Sequence, residues 1–368
     1  MPSLEEQIKA IEDEIQRTPY NKATQHHIGK LKAKVARLKD ELETRRLKSG
    51  GGGAGYAVKK SGNATVGLAG FPSVGKSTLL NQITDATSAV GAYDFTTLDV
   101  IPGAMEHRGA TIQILDMPGL IRGASKGRGR GREVLSVARA CDLVLLMIDV
   151  FETNVDVLAD ELRQGGIRLN ERPADVVFTR ATRGGLTVNS TVPLTKLDVE
   201  TVEDICREWG YLNGVLVVRD DISEDDLIDV LAGNRVYMPS RVLVNKIDLV
   251  GKAYLAELRK KLSGWPLIPI SATQGVGLDR LKDEIYDALR FMRVFLKPQG
   301  KEADMADPLI VKEDSTVGMV CDAIHRDWRR RFRYANVWGP SARFPGQRAG
   351  IEHVLRDADV MTVVLARG

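Results

Sequence analysis

Cysteine, long apolar runs and net charge are all scarce in this chain, and each scarcity excludes something. The three cysteines, Cys141, Cys206 and Cys321, stand far apart with neither paired nor metal-ligand spacing. That argues against a disulfide framework and fits reduced thiols in a cytoplasmic protein. The most apolar stretch, LVLLMIDV at 143–150, falls far short of the ~20 residues a membrane-spanning helix needs and already contains Asp149. No membrane span is predicted. The opening MPSLEEQIKAIEDE is acidic where a signal peptide would be basic and then apolar, so export is not expected. With 43% hydrophobic and 27% charged residues over 368 positions, the composition is that of an ordinary globular chain of roughly two to three domains.

The net charge of +3 is too small to announce a polyanionic partner, but its distribution is uneven. Residues 1–60 carry 13 Lys and Arg against 8 Asp and Glu, and residues 293–368 carry 13 against 10, which leaves the centre at −5. Basic ends around an acidic middle suggest termini that meet a polyanion while the centre does something else.

Organisation follows from periodicity. Leu4, Ile8, Ile11 and Ile15, then Ile28, Leu31, Val35, Leu38 and Leu42, recur at steps of three and four, with Pro19, Tyr20 and Asn21 between the runs. This predicts an antiparallel helical hairpin over 1–48 with facing seams. Lys30, Lys32, Lys34, Arg37, Lys39, Arg45, Arg46 and Lys48 crowd the second helix, either as a solvated face or as a docking surface for RNA or protein. His26 and His27, adjacent on a helix, point about 100° apart and predict no metal site. A glycine-rich linker spans 49–63. From Ala64, short β-branched runs (ATVGLAG, ATIQILD, CDLVLLMID, RVLVNKID, PLIPIS) alternate with helical stretches. That predicts a doubly wound, mostly parallel α/β sheet over 64–165 and 238–292. Residues 166–237 read as an inserted α+β domain, in which DVVFTR and LTVNST flank the turn Thr182-Arg183-Gly184-Gly185 as a β-hairpin. Residues 293–368, short strands around a helix near 316–331, read as a β-grasp-like module. Its Trp328-Arg329-Arg330-Arg331-Phe332-Arg333-Tyr334 interleaves aromatics and guanidiniums, suiting either base stacking with phosphate pairing or a core pair with wet arginines.

The chemistry concentrates in the α/β region. Gly70-Phe71-Pro72-Ser73-Val74-Gly75-Lys76-Ser77 fits G-x-x-x-x-G-K-[ST], with Thr78 next, directly between a predicted strand and a predicted helix. The glycines let backbone N–H groups surround phosphates, Lys76 neutralises the β and γ groups, and Ser77 offers its hydroxyl to Mg²⁺. Asp116-Met117-Pro118-Gly119 ends a strand with a carboxylate able to hold Mg²⁺ through water and a glycine N–H able to meet a γ-phosphate. Asn245-Lys246-Ile247-Asp248 ends another, at the edge where open α/β sheets bind ligands. The Asp248 carboxylate can accept from N1–H and the exocyclic amine of guanine, a pairing adenine does not offer, while the Lys246 stem lies along the ring. Ser271-Ala272-Thr273 is placed to offer an N–H to guanine O6. Loop, D-x-x-G, N-K-x-D and S-A come in the order a GTPase needs.

This constellation resembles the translation-factor-like GTPases. The segments GFPSVGKSTLL, YDFTTLDVIPG and DMPGLIRGASKGRGRGR resemble the Obg-related branch, and the whole chain resembles the developmentally regulated GTP-binding protein family. The resemblance implies that Thr97 ligates Mg²⁺ in switch I (93–103), with Thr96 the lesser candidate, and that switch II runs from Gly119 to Arg132. It further implies a ribosomal-protein S5 domain 2-like insert, a C-terminal TGS domain associated with RNA and ribosomes, and a zinc-finger-containing partner protein in eukaryotic relatives. Lys76 and Thr97 are then the groups that support the transition state.

One departure bears on mechanism. Where Ras-like enzymes place the glutamine that orients the attacking water, this chain has Leu120, which makes slow intrinsic hydrolysis the expectation. A partner residue, a bound K⁺ or a rearranged switch II must then supply what is missing. GTPases of this branch that use K⁺ tend to carry Asn where this chain has Ser73. Lys126, Arg128, Arg130 and Arg132, spaced by glycines, form either a plain loop or a trans-acting contact. The sequence thus predicts a Mg²⁺-dependent GTPase acting on the ribosome or its RNA. The alternative is a nucleotide-gated RNA-binding or scaffold module with negligible hydrolysis, and a remoter one, against which Asp248 speaks, is an ATPase acting on a metabolite.

Overall fold

In a computed structural model, the described residues are 3–21, 24–49, 62–84, 102–117 and 131–366. Their contacts divide into two compact units, one of residues 1–55 and 166–237, the other of residues 56–165 and 238–368.

The second unit holds a six-stranded sheet. Leu267–Pro269, Ser240–Asn245, Leu143–Asp149, Ala64–Gly70 and Ala110–Asp116 run parallel in that spatial order, and Pro102–His107 closes the edge antiparallel to Ala110–Asp116. The central strands Ala64–Gly70 and Leu143–Asp149 are buried at every position, which is why they read as unbroken apolar runs without alternation. Leu68, Leu79, Ile112, Leu145, Leu281 and Ile285 are among the fully buried residues of the core. Because all the parallel strands point the same way, their carboxyl ends gather on one edge, and the helix Lys76–Ile83 starts there.

The same unit carries a five-stranded mixed sheet, in the order Leu309–Lys312, Phe291–Leu296, Asp359–Leu365, Phe332–Trp338 and Gln347–Ala349. Its core beneath the helix Val317–Ile324 contains Val294, Val320, Cys321, Ala335, Val337 and Met361. The helix stops at Ile324, short of the predicted Arg331. A break at His325–Asp327 is followed by one turn, Trp328–Arg331, and Phe332 already begins a strand. Trp328 and Phe332 pack on the core, and Arg329 pairs with Asp322 at 2.7 Å, so the core-pair reading holds for these residues. The first sheet's domain and this module meet where Phe291 packs edge-on against Tyr286 of the helix Leu278–Ala288, a helix that His107 and Arg108 tie to the first sheet by bonds to Asp283 at 2.8 and 2.6 Å.

In the first unit, helices Leu4–Arg17 and Gln25–Ser49 form the predicted hairpin, with Ile8, Ile11, Val35 and Leu38 buried along the seam. Leu4–Arg17 starts on a capping box, Ser3 with Glu6. The second helix has another apolar stripe the periodicity reading did not use. Ala33 is fully buried in the core of the inserted domain with Ala36 packed beside it, and a Cβ on Gly29 would lie 3.2 Å from Thr201 Cγ2. The helix thus lies against Val199–Glu208 and Glu224–Ala232. Three of its basic residues are spent there: Lys30 pairs with Asp204 at 2.9 Å, Lys32 with Asp225 at 3.2 Å and Arg37 with Glu208 at 3.2 Å. Neither reading of that charge run describes these three, which pair with carboxylates of the chain's own acidic insert. His26 and His27 pair with Asp204 and Glu14.

The predicted β-hairpin of the insert is corrected. Val176–Arg180 and Leu186–Ser190 do not pair with each other, because Gly214–Val218 lies between them, antiparallel to the first and parallel to the second. That strand is the most apolar of the three, and Leu216 and Val218 are fully buried in the domain core, so the centre of the sheet is where it loses most water. The turn Thr182–Gly185 crosses its end instead, with Gly214 N–H donating to Gly185 O at 3.0 Å.

Candidate functional site at the carboxyl edge of the parallel sheet

The loop after Ala64–Gly70 is shaped by two close approaches. A Cβ on Gly70 would lie 2.4 Å from Met147 O, and one on Gly75, where φ is +98°, would lie 2.5 Å from Asn245 Nδ2. No side chain fits at either position, and the positive φ independently calls for glycine at 75. Ser73 also adopts positive φ (63°). The helix begins at Lys76, so the N–H groups of its first turn have no intrahelical acceptors and face the loop. That makes an anion cradle. The exposed side chains of Pro72, Ser73, Ser77 and Thr78 line it, Phe71 is half-buried against the core, and Val74 is buried.

Lys76 Nζ donates to Gly70 O and Phe71 O, both at 3.0 Å. Burial lowers its pKa, and the charge of Asp116 opposes that. Burial likewise raises the Asp116 pKa against the pull of Lys76. Asp116 is 6% exposed, and its Oδ1 is buried with no hydrogen-bond partner among the described residues. A buried carboxylate oxygen left without a donor is costly unless something else meets it. A hard divalent cation beside an exposed hydroxyl such as Ser77 fits that requirement.

Asn245 ties the cradle to its neighbours. Its Nδ2 donates to Val74 O at 2.8 Å, and its Oδ1 accepts from Ala272 N–H at 2.9 Å. One buried amide therefore joins the phosphate-type loop, the N-K-x-D strand end and the S-A turn. Ser271 is buried, its N–H donating to Val276 O and its Oγ accepting from Gln274 N–H at 3.2 Å. Asp248, on the short turn Ile247–Leu249, is exposed at the same edge. Gly70 to Thr78, Asp116, Asn245, Lys246, Asp248, Ser271 and Ala272 thus come to one sheet edge. Thr96, Thr97, Gly119, Leu120, Lys126, Arg128 and Arg130 lie outside the described residues.

Sequence reasoning missed Asp149. Its Oδ2 meets Lys246 Nζ at 2.5 Å, while its Oδ1 accepts from the N–H groups of Phe151 (2.9 Å) and Glu152 (2.8 Å). Burial pushes this carboxyl up, but the bonds from Lys246, Glu152 and Phe151 outweigh it and hold the pKa below the usual range. The signal was present: a carboxylate ending the most apolar strand of the sheet, at the same edge as Asp116 and Asn245.

Three family models match stretches of the chain. The model described as "50S ribosome-binding GTPase" matches residues 65–180, that of the C-terminal region of the same domain matches 183–291, and the TGS domain matches 292–365. An uncharacterized GTP-binding protein of Methanocaldococcus jannaschii is 53% identical over 99% of this chain and 93% of its own. Developmentally-regulated G-protein 3 of Arabidopsis thaliana is 46% identical over 99% of both chains. Developmentally-regulated GTP-binding protein 1 of Xenopus laevis is 42% identical over 97% of this chain and 98% of its own. With a P-loop at the head of a parallel sheet, a C-terminal TGS domain and relatives matching over almost the full length, the chain belongs to the developmentally regulated GTP-binding protein family of P-loop GTPases.

Proposed function

We propose that this chain binds GTP at the carboxyl edge of its six-stranded sheet, hydrolyses it slowly on its own, and acts on the ribosome or its RNA in the cytoplasm. The carrying observation is the Asn245 crosslink, which joins three motifs separated by up to 198 residues into one continuous surface. Loop 70–78 would surround the phosphates, with Lys76 against the β and γ groups and the Gly119 N–H on the γ-phosphate. Lys246 would lie along the base, with Asp248 accepting from guanine and the Ala272 turn facing its O6. Ser77, Thr97 and, through water, Asp116 would hold Mg²⁺, which when bound supplies charge neutralisation between the phosphates. Thr97 would report the γ-phosphate through switch I. Leu120, having no hydrogen-bonding group, would leave the attacking water unoriented.

The domain plan that goes with this reading is a G domain at 64–165 and 238–292, an S5 domain 2-like insert at 166–237, a helical hairpin at 1–48 and the TGS module from 293. The 53%, 46% and 42% identities to GTP-binding proteins support the nucleotide, and the "ribosome-binding" description of the matched model supports the target. A K⁺ ion and a zinc-finger-containing partner are further expectations of this Obg-related reading. Among the described residues no helix is long and apolar enough to cross a membrane.

Single-turnover GTP hydrolysis, in KCl and in NaCl, with and without ribosomes, tests it. Slow basal turnover accelerated by ribosomes is the expected result, and equal rates in the two salts would remove K⁺. GTP binding without any ribosome response would favour the gated RNA-binding module, and salt-dependent RNA affinity with and without GTP would then be the quantity to measure.

A further inference from the structure

We infer that Asp149 is a positioning residue for the base end of this site, and that the ring of Phe151 forms the outer wall against which the base lies; the inference rests on the guanine-nucleotide reading above. Lys246 sits in a left-handed conformation (φ 63°) at the sheet edge. There its ammonium is held at two points, by Asp149 Oδ2 and by Ser73 O at 3.0 Å. A lysine stem has several rotatable bonds, so an unheld ammonium would sample many directions. Clamped at both ends, the stem is preorganised as one flat side of a slot.

The same carboxylate builds the next element. Asp149 Oδ1 accepts from the N–H groups of Phe151 and Glu152, and this fixes the chain as it leaves the strand. Phe151 is 72% exposed, and the Lys246 ammonium lies 5.9 Å from its ring centroid. An aromatic ring so exposed contributes little to a core, and here it stands near the ammonium end of the side chain assigned to the base face. A planar heterocycle gains from such a neighbour by stacking or edge contact. Asp149 therefore does for the base what Asn245 does for the loop: it bonds to two elements at once and sets their spacing.

The test separates base from phosphate. In Asp149→Asn the amide oxygen can still accept from Phe151 and Glu152, so the turn is retained while the charge on Lys246 loses its partner. The full-length variant should bind GDP about tenfold more weakly, as expected for loss of one charge-assisted contact. Its affinity for inorganic triphosphate, measured by displacement, should change by less than about twofold. Asp149→Glu, which keeps the charge, should recover part of the GDP affinity. Phe151→Ala, at a position too exposed to unfold the protein, should lose a few-fold for GDP and nothing for triphosphate, and Phe151→Trp should restore it. Equal losses for GDP and triphosphate would overturn the inference, leaving Asp149 as a support for the loop. Unchanged GDP binding in both Asp149→Asn and Phe151→Ala would also overturn it. Failure of the unaltered protein to bind GDP would instead overturn the reading on which the inference stands.

Discussion

The two sets of lysines in this molecule have opposite fates. In the helix Gln25–Ser49, Lys30 and Lys32 stand at a solvent-facing margin and pair with carboxylates of the insert. At the sheet edge, Lys76 donates instead to two backbone carbonyls of the phosphate-type loop near the buried carboxylate of Asp116, while Lys246 bonds both the loop carbonyl of Ser73 and the Asp149 carboxylate. The first arrangement fastens two parts of one unit together and consumes its charge in doing so. The second keeps the charge of Lys76 at an anion cradle. Abundance of charge therefore located a joint, whereas spacing and strand ends located the chemistry.

The largest effect should come from Lys76→Ala. Removing two charge-assisted contacts to phosphate, each about 1.5–3 kcal/mol, should weaken GTP binding by at least about a hundredfold, read by equilibrium fluorescence titration. Stability should barely move, because the burial cost of the Lys76 ammonium offsets its two bonds to Gly70 O and Phe71 O. The reverse pattern is expected for Ala33→Glu. A carboxylate forced into the fully buried contact of the hairpin with the insert should cost about 3 kcal/mol in urea unfolding of the first unit while GDP affinity stays unchanged. If Ala33→Glu weakened nucleotide binding as strongly as Lys76→Ala, the separation of roles would be wrong.

A smaller effect sharpens the contrast by pH. The Asp116 carboxyl is held above its ordinary value of 3.8 by burial. Below that pH it is neutral in both folded and unfolded chains and costs nothing; as pH rises, the folded chain must carry a buried charge. Asp116→Asn should therefore raise the melting temperature of the nucleotide-free protein by about 1–3 °C at neutral pH, and the gain should vanish as pH falls below 3.8. The same variant should lose Mg²⁺-dependent turnover, so that stability and activity move in opposite directions. The smallest effect is that of Lys30→Ala, whose half-exposed pair with Asp204 is worth about 0.5–1 kcal/mol, visible in thermal unfolding and absent from nucleotide titrations.

What could be read in advance followed the strength of each physical signal. The parallel sheet was legible because Ala64–Gly70 and Leu143–Asp149 are buried on both faces and so leave unbroken apolar runs. The glycine loop was legible because Gly70 and Gly75 each meet an atom that excludes a Cβ. The insert was misread where pairing is decided by a strand distant in sequence. Gly185 and Gly184 both take the positive φ a turn needs, yet the more apolar Gly214–Val218 takes the centre. The second apolar stripe of the hairpin helix escaped because it consists of Gly29, Ala33 and Ala36, whose message is close approach and not hydrophobicity. Asp149 escaped because it belongs to no motif of fixed spacing; its place at the end of the most apolar strand was the one signal, and the fold is what brings it to Lys246.

The most direct test of the account is competition of GTP, ATP and XTP for the full-length protein and for Asp248→Asn. A carboxylate at 248 accepts from the guanine amine, whereas an amide there can donate to the carbonyl that xanthine carries in its place. The account predicts that the unaltered protein prefers GTP over ATP by at least about a hundredfold, a few kcal/mol of base recognition, and that Asp248→Asn loses this preference and gains XTP binding. Equal affinity of the unaltered protein for ATP and GTP, or an unchanged GTP preference in Asp248→Asn, would contradict it.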